Sequence, residues 1–432
     1  MSKNKPNKPG GFSNNYKKKD QKPQSPPNKA PVAKAVVAPV LADAPDPAGA
    51  CWCFSALDTW FFRESRPMES VGGAQLQSVF PPPTRTVVGA IRSAIGNAAG
   101  VQWHGYPDAK QPEHQALRRL IGDANGLGRL SFRGPFVMKD GQRLYPVPLI
   151  VLRSAGLDGP DGKTPSATFT RLEPASDLTD CDLGRVQLPK KQPAAPAGAK
   201  PLEHAWLTAT GLQAVLSGQT LTENGVVQAK DLFHTEERLG IGRYNTRRTV
   251  EPGLLYQTQH VRPVLGVAVG MCVHGFEPDD APVPAQGVTR LGAEGRMAHW
   301  VRRAEPVLPA VAVKGPRLLL VLTTHAQFEH GWLPDGLSPV TLPDSGQTVW
   351  EGSLHGVRLR LLCAVVGKPV REGGWNLAKR APRDMVSLTP AGSCYFCEVL
   401  DADAALAAQA LHGQQIGQST DHGHGELAVG TW

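Results

Sequence analysis

The sequence predicts an α+β protein made of two split βαβ units of the ferredoxin or RRM type, preceded by a disordered basic tail. Apolar runs typical of β-strands outnumber segments with helical periodicity. Strands interleaved with a few helices occur twice along the chain, and the second series starts near residue 305. We therefore predict a tail at 1–48, an N-terminal ferredoxin-like domain at 49–305 and a C-terminal one at 306–432.

The N-terminal tail carries most of the net charge. Nine lysines and three aspartates among the first 50 residues contribute +6 of the formal charge of +8, so the rest of the chain carries only +2. A segment rich in Lys, Pro, Asn and Gln with almost no aromatic residues cannot bury enough apolar surface to offset its ordering entropy. We predict that residues 1–48 are disordered, as a solvated tail or a nonspecific RNA contact.

The sequence favours a cytoplasmic protein. No apolar run near the N-terminus resembles a signal peptide, and no stretch approaches the roughly 18 apolar residues that span a bilayer. Seven cysteines, an odd number, do not indicate a disulfide framework. Cys51 and Cys53, with Cys394 and Cys397, suggest a thiolate zinc site, but both pairs lie in strand-like runs where buried free cysteines are common. We therefore predict no metal and no cofactor.

The stretch FPPPTRTVVGAIRSAIG (80–96) predicts a helix with a fixed starting point. Its three prolines exclude helix and keep the chain extended up to Thr84 or Thr86, either of which can cap a helix. Apolar residues then recur on one face, namely Val87, Ala90, Ile91, Ala94, Ile95 and Ala98. The free N–H groups of the first turn, with Arg85 beside them, predict an anion site, and Arg92 is a further candidate RNA contact. The alternative is an ordinary capped core helix.

Further elements follow from the same patterns. Helices are predicted at HQALRRLIG, at WLTATGLQAVLSG and at ADAALAAQALHG, and an insertion rich in turn formers is predicted at about 154–201. Two apolar strands, LLYQTQHVRPV and LGVAVGMCVHG, are expected to pair with each other. Later strands are predicted at RLGAEGRMAHWVRR, PRLLLVLTTHAQF, VRLRLLCAVVG and SCYFCEVL.

The stretch DLFHTEERLGIGRYNTRRTVEPGLLY (231–256) predicts an RNA contact. Gly240 and Gly242 permit close backbone approach, and arginines surround Tyr244 and Asn245, namely Arg238, Arg243, Arg247 and Arg248. Guanidinium groups bind phosphate in bidentate fashion, and Tyr and Arg planes stack on unpaired bases. The alternative is a solvated hairpin whose arginines pair with Glu236, Glu237 and Glu251.

Two further segments are candidate RNA contacts. Lys379, Arg380 and Arg383 lie in a loop ahead of a strand, where the alternative is an ordinary exposed basic loop. A glycine-rich end can present backbone N–H groups to a phosphodiester chain, through His422, Gly423, His424 and Gly425. The motif GHGELA matches a dinucleotide-binding glycine pattern only by coincidence, because no helix and second strand can follow it.

The histidines do not form a recognised catalytic motif. There is no HExxH, GxSxG or P-loop sequence, and Asp421, His422 and His424 form only a weak cluster. We predict a noncatalytic RNA-binding protein. The rival is a metal-independent endoribonuclease in which a histidine, His104, His234 or His422, is the general base on a 2′-hydroxyl.

Six motifs in one order resemble a known family. They are LDTWFFRESRP, SVFPPPTRTVVGAIRSAIG, EERLGIGRYNTRRTVEPGLLY, LGAEGRM, GGWNLAKRAPR with AGSCYF, and GHGELAVGTW. Together they resemble the third Cmr subunit, the RAMP protein of type III-B CRISPR effector complexes. The resemblance spans the chain from about residue 51 to its end, with gaps at the insertion.

The resemblance implies two ferredoxin-like RAMP domains that bind the 5′ handle of the CRISPR RNA. It also implies docking against the large polymerase-like Cmr subunit and a backbone RAMP subunit, without target cleavage by this chain. A third interpretation is a docking subunit that makes no RNA contact. The sequence departs from the family pattern in its basic tail and in the insertion at 154–201.

Overall fold

The computed structural model describes residues 45–65, 75–104, 106, 112–154, 167–192, 196, 198–244, 246–376 and 381–432. Side chains are not described at 112–113 and 250–255. The predicted disordered tail lies outside these residues up to position 44. Asn245, Lys379 and Arg380 also lie outside them.

The N-terminal part, up to residue 154, contains two helices and short to medium strands among the described residues. They are β1 (Cys51–Ala56), β2 (Gln75–Leu76), α1 (Thr84–Ala98), α2 (Pro112–Ile121), β3 (Ser131–Lys139), β4 (Gln142–Arg143), β5 (Tyr145–Pro146) and β6 (Val151–Ser154). The predicted helices at 84 and at HQALRRLIG are both present.

The next part contains two long hairpins. Its elements are β7 (Thr168–Cys181), β8 (Gly184–Lys191), β9 (Lys200–Pro201), β10 (Ala205–Leu207), α3 (Ala209–Leu216), β11 (Val226–Gln228), β12 (Phe233–Tyr244), β13 (Thr249–Pro263), β14 (Val267–His274), β15 (Gln286–Arg290) and β16 (Met297–Arg303). The described part of the predicted insertion forms the β7–β8 hairpin, and its status as an insertion stays a prediction.

The C-terminal part is again mostly strand. Its elements are β17 (Arg317–Leu322), β18 (Leu337–Thr341), β19 (Thr348–Leu354), β20 (Val357–Val365), β21 (Val370–Glu372), β22 (Trp375–Asn376), β23 (Ala381–Pro382), β24 (Val386–Leu388), β25 (Cys394–Val399), α4 (Ala404–Leu411) and β26 (Leu427–Thr431). Short 3₁₀ turns lie at Glu223–Gly225, Ala229–Asp231 and Thr420–His422.

The first large sheet has the strand order β15-β16-β1-β14-β3-β4. Successive residues of a strand face opposite sides of a sheet, and β1 follows this rule. Trp52 and Phe54 face a core that includes the buried side of α1, whereas Cys51 and Cys53 face a smaller core on the other side. Both faces are therefore covered, which explains why β14 is a nearly continuous buried apolar run.

The second large sheet has the order β18-β19-β20-β25-β17-β26. Its strand β17 alternates in the same way, with Leu318 and Leu320 in one core and Leu319 and Val321 in another. The first core includes α4, and the second includes α3 and β5. The residues from β5 to α3, which precede β12 in the chain, thus cover one face of the second large sheet.

The predicted fold class, two ferredoxin-like α+β domains, is wrong. Of the described residues, 45% lie in strands and 14% in helices, which makes the protein mostly β. A ferredoxin-like unit needs two crossover helices on its sheet. Among the described residues, the helices between β1 and β3 pack on the first sheet, and α4 lies between β25 and β26 of the second. Helix α3 follows β4 in the chain but packs against the second sheet, and further strands form additional small sheets.

The expected pairing of LLYQTQHVRPV with LGVAVGMCVHG is also wrong. The first segment lies in β13, which pairs with β12 and with β2, while β14 lies between β1 and β3. Burial decides this arrangement, because β14 is apolar on both faces and β13 carries polar residues along its length. The first large sheet ends at Arg303 and the second begins at Arg317, and the domain boundary near 305 stays a prediction.

The cysteines considered as zinc ligands are divided between the two large sheets. Cys51 and Cys53 lie on β1, and Cys394 and Cys397 lie on β25. Each is buried as a free thiol. In the part of the chain that the structure describes, no helix is long and apolar enough to cross a membrane.

Candidate nucleic-acid interface

The first turn of α1 receives an anion from within the protein. The N-cap is Pro83 and no side chain caps the helix, so the prediction of a threonine cap is wrong. Instead, the N–H of Arg85 donates to Oε1 of the buried Glu372 at 3.1 Å. A carboxylate at a helix N-terminus satisfies free N–H groups and the helix dipole. The predicted anion site at this helix start is thus occupied by Glu372.

Arg85 and Arg92 of this helix lie near Arg383, which was predicted in a separate basic loop. Burial lowers the pKa of Arg383, and repulsion from Arg85 lowers it further. Burial likewise lowers the pKa of Arg92, with a smaller contribution from Arg383. These three residues, Arg85, Arg92 and Arg383, form a group that we call the α1 cationic cluster. Burial is the larger cause of both lowered pKa values, and the smaller repulsive effects show that the guanidinium groups lie near one another.

Members of the α1 cationic cluster differ in how free their guanidinium groups are. Arg92 donates to the carbonyl oxygens of Ile121 at 2.5 Å, Asp123 at 2.6 Å and Gly126 at 3.2 Å, so it closes the loop after α2. Arg85 Nε lies 3.9 Å from Glu372 Oε1. Within the described residues Arg383 makes no ion pair. Arg85 and Arg383 therefore retain donors for a phosphate group, whereas Arg92 is mainly structural.

The charge of Glu372 is strongly affected by its position. Burial raises the pKa of its carboxyl group, and the N–H and guanidinium of Arg85 offset part of this rise. His424 Nε2 lies 3.9 Å from Glu372 Oε2, but burial lowers the pKa of His424 to about 4. His424 is therefore neutral near pH 7 and adds no charge to the cluster.

The glycine-rich C-terminal loop is packed inside the protein. Gly423 donates to Thr420 at 2.9 Å and Gly425 donates to His325 at 2.8 Å, both through their N–H groups to carbonyl oxygens. Gly425 has φ +81°, and a Cβ there would lie 1.9 Å from the carbonyl oxygen of Ile416. Both N–H groups are therefore used in hydrogen bonds within the chain, and these bonds hold the loop in place. His422 is partly exposed, and its Nδ1 lies 2.8 Å from Asp421 Oδ1.

The body-proximal half of the β12–β13 hairpin carries an ion-pair network. Arg238 donates to Asp58 at 2.8 Å and to Glu236 at 2.7 Å. Arg262, on the opposite strand, binds the same two carboxylates. These contacts lower the pKa of both acids and raise that of Arg238, with side-chain hydrogen bonds as the largest cause. Arg238 is thus paired with carboxylates, as the alternative of a solvated hairpin predicted, although Asp58 was not among the predicted partners.

The distal half of the same hairpin is different. Arg243, Arg247 and Arg248 are exposed, and within the described residues none of them makes an ion pair. Gly242 lies at a β-bulge between Ile241 and Arg243, whereas Gly240 is covered by the ring of Tyr256 across the hairpin. We call Arg243, Tyr244, Arg247 and Arg248 the hairpin tip.

Several residues at these sites were not predicted from the sequence. Glu372 and Asp58 organise the two groups of arginines, and both act through tertiary contacts with residues far along the chain. Trp375 is 52% exposed and pairs with Pro382 in the short β22–β23 hairpin. Its place in the basic loop GGWNLAKRAPR is visible in the sequence, and an aromatic residue between basic ones is a signal that could have identified it.

A model of the family CRISPR-associated protein (Cas_Cmr3) matches residues 52–432. No curated protein matches the sequence significantly. Solved structures with similarity include a chain of the type III-B Cmr-beta complex bound to cognate target RNA and AMPPnP, studied by cryo-EM. That chain has a TM-score of 0.43 and 12% identity, with 80% of this chain and 86% of that chain covered.

A second match is a chain of the same complex bound to cognate target RNA, with a TM-score of 0.41, 12% identity and the same coverage of 80% and 86%. The family match extends over most of the sequence and confirms the resemblance to the third Cmr subunit of type III-B complexes. The chain belongs to the CRISPR-associated Cas_Cmr3 family.

Proposed function

We propose that this type III-B Cmr subunit is a noncatalytic RNA-binding protein that holds the 5′ handle of the CRISPR RNA. The proposal rests on the hairpin tip. Three exposed arginines without ion pairs in the described residues flank Tyr244, which is 44% exposed. Phosphate contacts by arginine supply most of the affinity for RNA, and exposed tyrosine rings stack on unpaired bases.

Charge distribution on the hairpin supports this assignment. The acidic residues Asp58 and Glu236 are engaged by arginines in the proximal half. They therefore do not compete for the arginines of the tip, which lie beyond the β-bulge at Gly242. Among the described side chains no carboxylate pairs with the tip, and a phosphodiester backbone can supply that anion.

The test is binding of the full chain to a labelled single-stranded RNA that carries the handle, over a series of salt concentrations. The double variant R243A/R247A should bind more weakly. The slope of log K against log salt should also fall by about 0.7 for each phosphate that the variant no longer binds. A suitable control is R317A/R358A, which removes two exposed arginines from the second large sheet. Handle binding that is equal in both double variants contradicts the proposal.

Docking is the second part of the proposal. We infer that the chain contacts the large polymerase-like Cmr subunit and a backbone RAMP subunit, as its family membership suggests. Coexpression of the full chain with each partner, followed by size-exclusion chromatography, tests each contact separately. An interpretation without RNA contact predicts complex formation and no crosslink from bound RNA to this chain.

A ribonuclease remains the alternative function, and one contact favours it. Asp421 accepts a hydrogen bond from Nδ1 of His422 if that nitrogen is protonated, at 2.8 Å, which would orient the ring as a base. His104 and His234 are exposed and lie on other elements. The purified chain is incubated with repeat RNA in EDTA. Intact RNA supports the noncatalytic proposal, whereas site-specific cleavage that is abolished in His422→Ala supports the nuclease.

A further inference from the structure

The turn between β15 and β16 contains the motif LGAEGRM (291–297), which contributes no residue to the hairpin tip. The N–H of Ala293 donates to the carbonyl oxygen of Phe61 at 2.8 Å, and a Cβ on Gly292 would lie 2.7 Å from that same oxygen. Glu294 has φ +54°, a left-handed conformation that is uncommon for a residue with a side chain. Such conformations persist where surrounding contacts impose them. The contacts of Glu294 therefore indicate what the turn does.

The carboxylate of Glu294 joins this turn to the β12–β13 hairpin. Its Oε2 lies 3.4 Å from Nε2 of His260, a residue of β13 whose side chain is completely buried. The charge of Glu294 raises the pKa of Tyr256, and burial and a side-chain hydrogen bond to the same carboxylate raise it further. Residues of a strand alternate between faces, so Tyr256 and His260 lie on one face of β13. Glu294 thus holds two positions along that face.

Tyr256 transmits this contact to the other strand of the hairpin. It pairs with Gly240 of β12, and a Cβ on Gly240 would lie 2.2 Å from Cζ of the Tyr256 ring. Glycine at this position leaves the space that the ring occupies. The β-bulge between Ile241 and Arg243 follows directly. Because a bulge bends and twists its strand, the direction of the tip depends on how the strand is held just before the bulge.

The ion pairs of Asp58 hold the hairpin closer to its base. They reach Arg238 on β12, and β2 pairs with β13 as far as Gln257. Through the ring of Tyr256, the contact from Glu294 reaches Gly240, two residues beyond Arg238. It therefore acts on the part of the hairpin that leads into the tip.

We propose that Glu294 is a positioning residue that sets the direction of the hairpin tip for RNA binding. The inference rests on the proposed function. A carboxylate repels phosphate, so Glu294 acts through Tyr256 and not by touching RNA itself. With this contact in place, the arginines of the tip meet the phosphates in one orientation. Apparent affinity falls with the fraction of molecules in the binding-competent conformation, so loss of the contact weakens binding.

Binding of the full chain to fluorescein-labelled single-stranded handle RNA is measured by anisotropy. E294A should weaken binding about fivefold, because it removes a hydrogen bond to a charged acceptor and lowers the binding-competent fraction. E294Q removes the same charge but keeps an oxygen that accepts from Tyr256, so it should bind at least as tightly as the wild type. Y256F removes only the hydroxyl and should weaken binding as E294A does. The double variant E294A/Y256F should be no weaker than either single variant.

A combination of E294A with R243A/R247A distinguishes positioning from a general structural role. With the arginines of the tip removed, E294A has nothing left to position and should not weaken RNA binding further. E305A is the matched control, because Glu305 Oε2 also lies 3.4 Å from a histidine Nε2, that of His274, but beyond the opposite end of β16. It should leave RNA affinity unchanged. Hydrogen exchange at the hairpin tip should be faster in E294A than in the wild type or E305A.

Thermal melting verifies that each variant is folded, and Y256F replaces E294A in the comparison if E294A is unstable. Unchanged RNA affinity in E294A overturns the inference, as does an equal loss of affinity with and without the tip arginines. Weakened binding in E294Q equal to that in E294A also overturns it, because the lost hydrogen bond is then not the cause. If R243A/R247A weakens binding and E294A does not, only this inference fails. If the wild-type chain binds no RNA, the proposed function fails as well.

Discussion

The carboxylate of Glu372 accepts a hydrogen bond from the backbone N–H of Arg85, although 287 positions separate the two residues in the chain. This contact joins the end of β21 to the first turn of α1. Glu372 is 3% exposed, so its carboxyl group has lost nearly all of its hydration. The start of α1 and the segment that leads into the basic loop at 373–383 are thereby held together, although the sequence predicts them as separate RNA contacts.

Replacement of Glu372 should destabilise the protein. We expect E372A to lower the free energy of unfolding by about 1–3 kcal/mol, because the N–H of Arg85 is left without its acceptor. E372Q should cost less, because its amide oxygen still accepts a hydrogen bond. Urea unfolding followed by circular dichroism measures both variants. Equal stability of E372A and the wild type would show that the carboxylate is not the acceptor.

The ion pair between Arg143 and Glu426 should be the most sensitive polar contact. Both side chains are almost completely buried, Glu426 also accepts from Thr323, and the guanidinium lies over the rings of Phe136 and Tyr145. Removal of one partner leaves an uncompensated buried charge.

We therefore expect R143A and E426A each to lower the free energy of unfolding by about 3–5 kcal/mol. The double variant R143M/E426L removes both charges and should be more stable than either single variant. Chemical unfolding of the three variants tests this order. A double variant whose destabilisation is the sum of both single effects contradicts the coupling.

Two histidines, the buried His424 and the partly buried His325, should make the protein less stable in acid. Burial lowers the pKa of His325 and of His424 to about 4, from an ordinary value of 6.5. Between these pH values the unfolded chain binds more protons than the folded chain, so stability falls as the pH falls from about 6.5 to 4. The buried Glu372 has the opposite sign, because its pKa is raised.

Each histidine should contribute a slope of at most about 1.4 kcal/mol per pH unit. Thermal melting at several pH values between 7 and 5 measures the effect. H424Q should show a smaller decrease in stability over this range than the wild type, and H325Q provides an independent second variant. The exposed His330, replaced by Gln, is the control and should leave the pH dependence unchanged. If the wild type and the three variants all lose stability equally with falling pH, the effect does not come from His325 and His424.

The basic N-terminal tail should contribute to RNA affinity without adding stability. Residues 1–48 combine concentrated lysine charge with no periodic apolar face, so their attraction for RNA is screened by salt. Deletion should leave the thermal midpoint nearly unchanged and weaken RNA binding only at low salt. A midpoint several degrees lower, or a failure to discriminate the handle at physiological salt, would instead indicate an ordered arm packed on the body.

Much of the secondary structure could be predicted because it depends on local patterns. The apolar face of α1 follows from residues three and four positions apart, and Val87, Ile91 and Ile95 are indeed buried. The fold class could not be predicted in the same way. It depends on whether each crossover is a helix, and the crossover between β14 and β16 consists of β15 and loops.

The candidate site shows the same division. Its arginines were visible in the sequence, but their partners were not. Arg238 and Arg243 lie five residues apart on one strand, yet Asp58 engages the first and no described residue pairs with the second. Likewise, the glycines at 423 and 425 suggested a loop with exposed backbone. In the structure, the backbone of Gly134 and of Ile416 packs so closely against them that a β-carbon at either position would clash.

The sequence by itself determined the family, the strand-rich periodicity, the position of α1 and the charge of the basic segments, because motif order and short-range spacing carry this information. The tertiary structure alone decided which charges are compensated. Glu372 accepts from the start of α1 and Asp58 engages the proximal hairpin, while no ion pair to the hairpin tip or to Arg383 occurs among the described residues. Electrostatic compensation depends on distances between residues that are far apart in the chain, and only folding sets those distances.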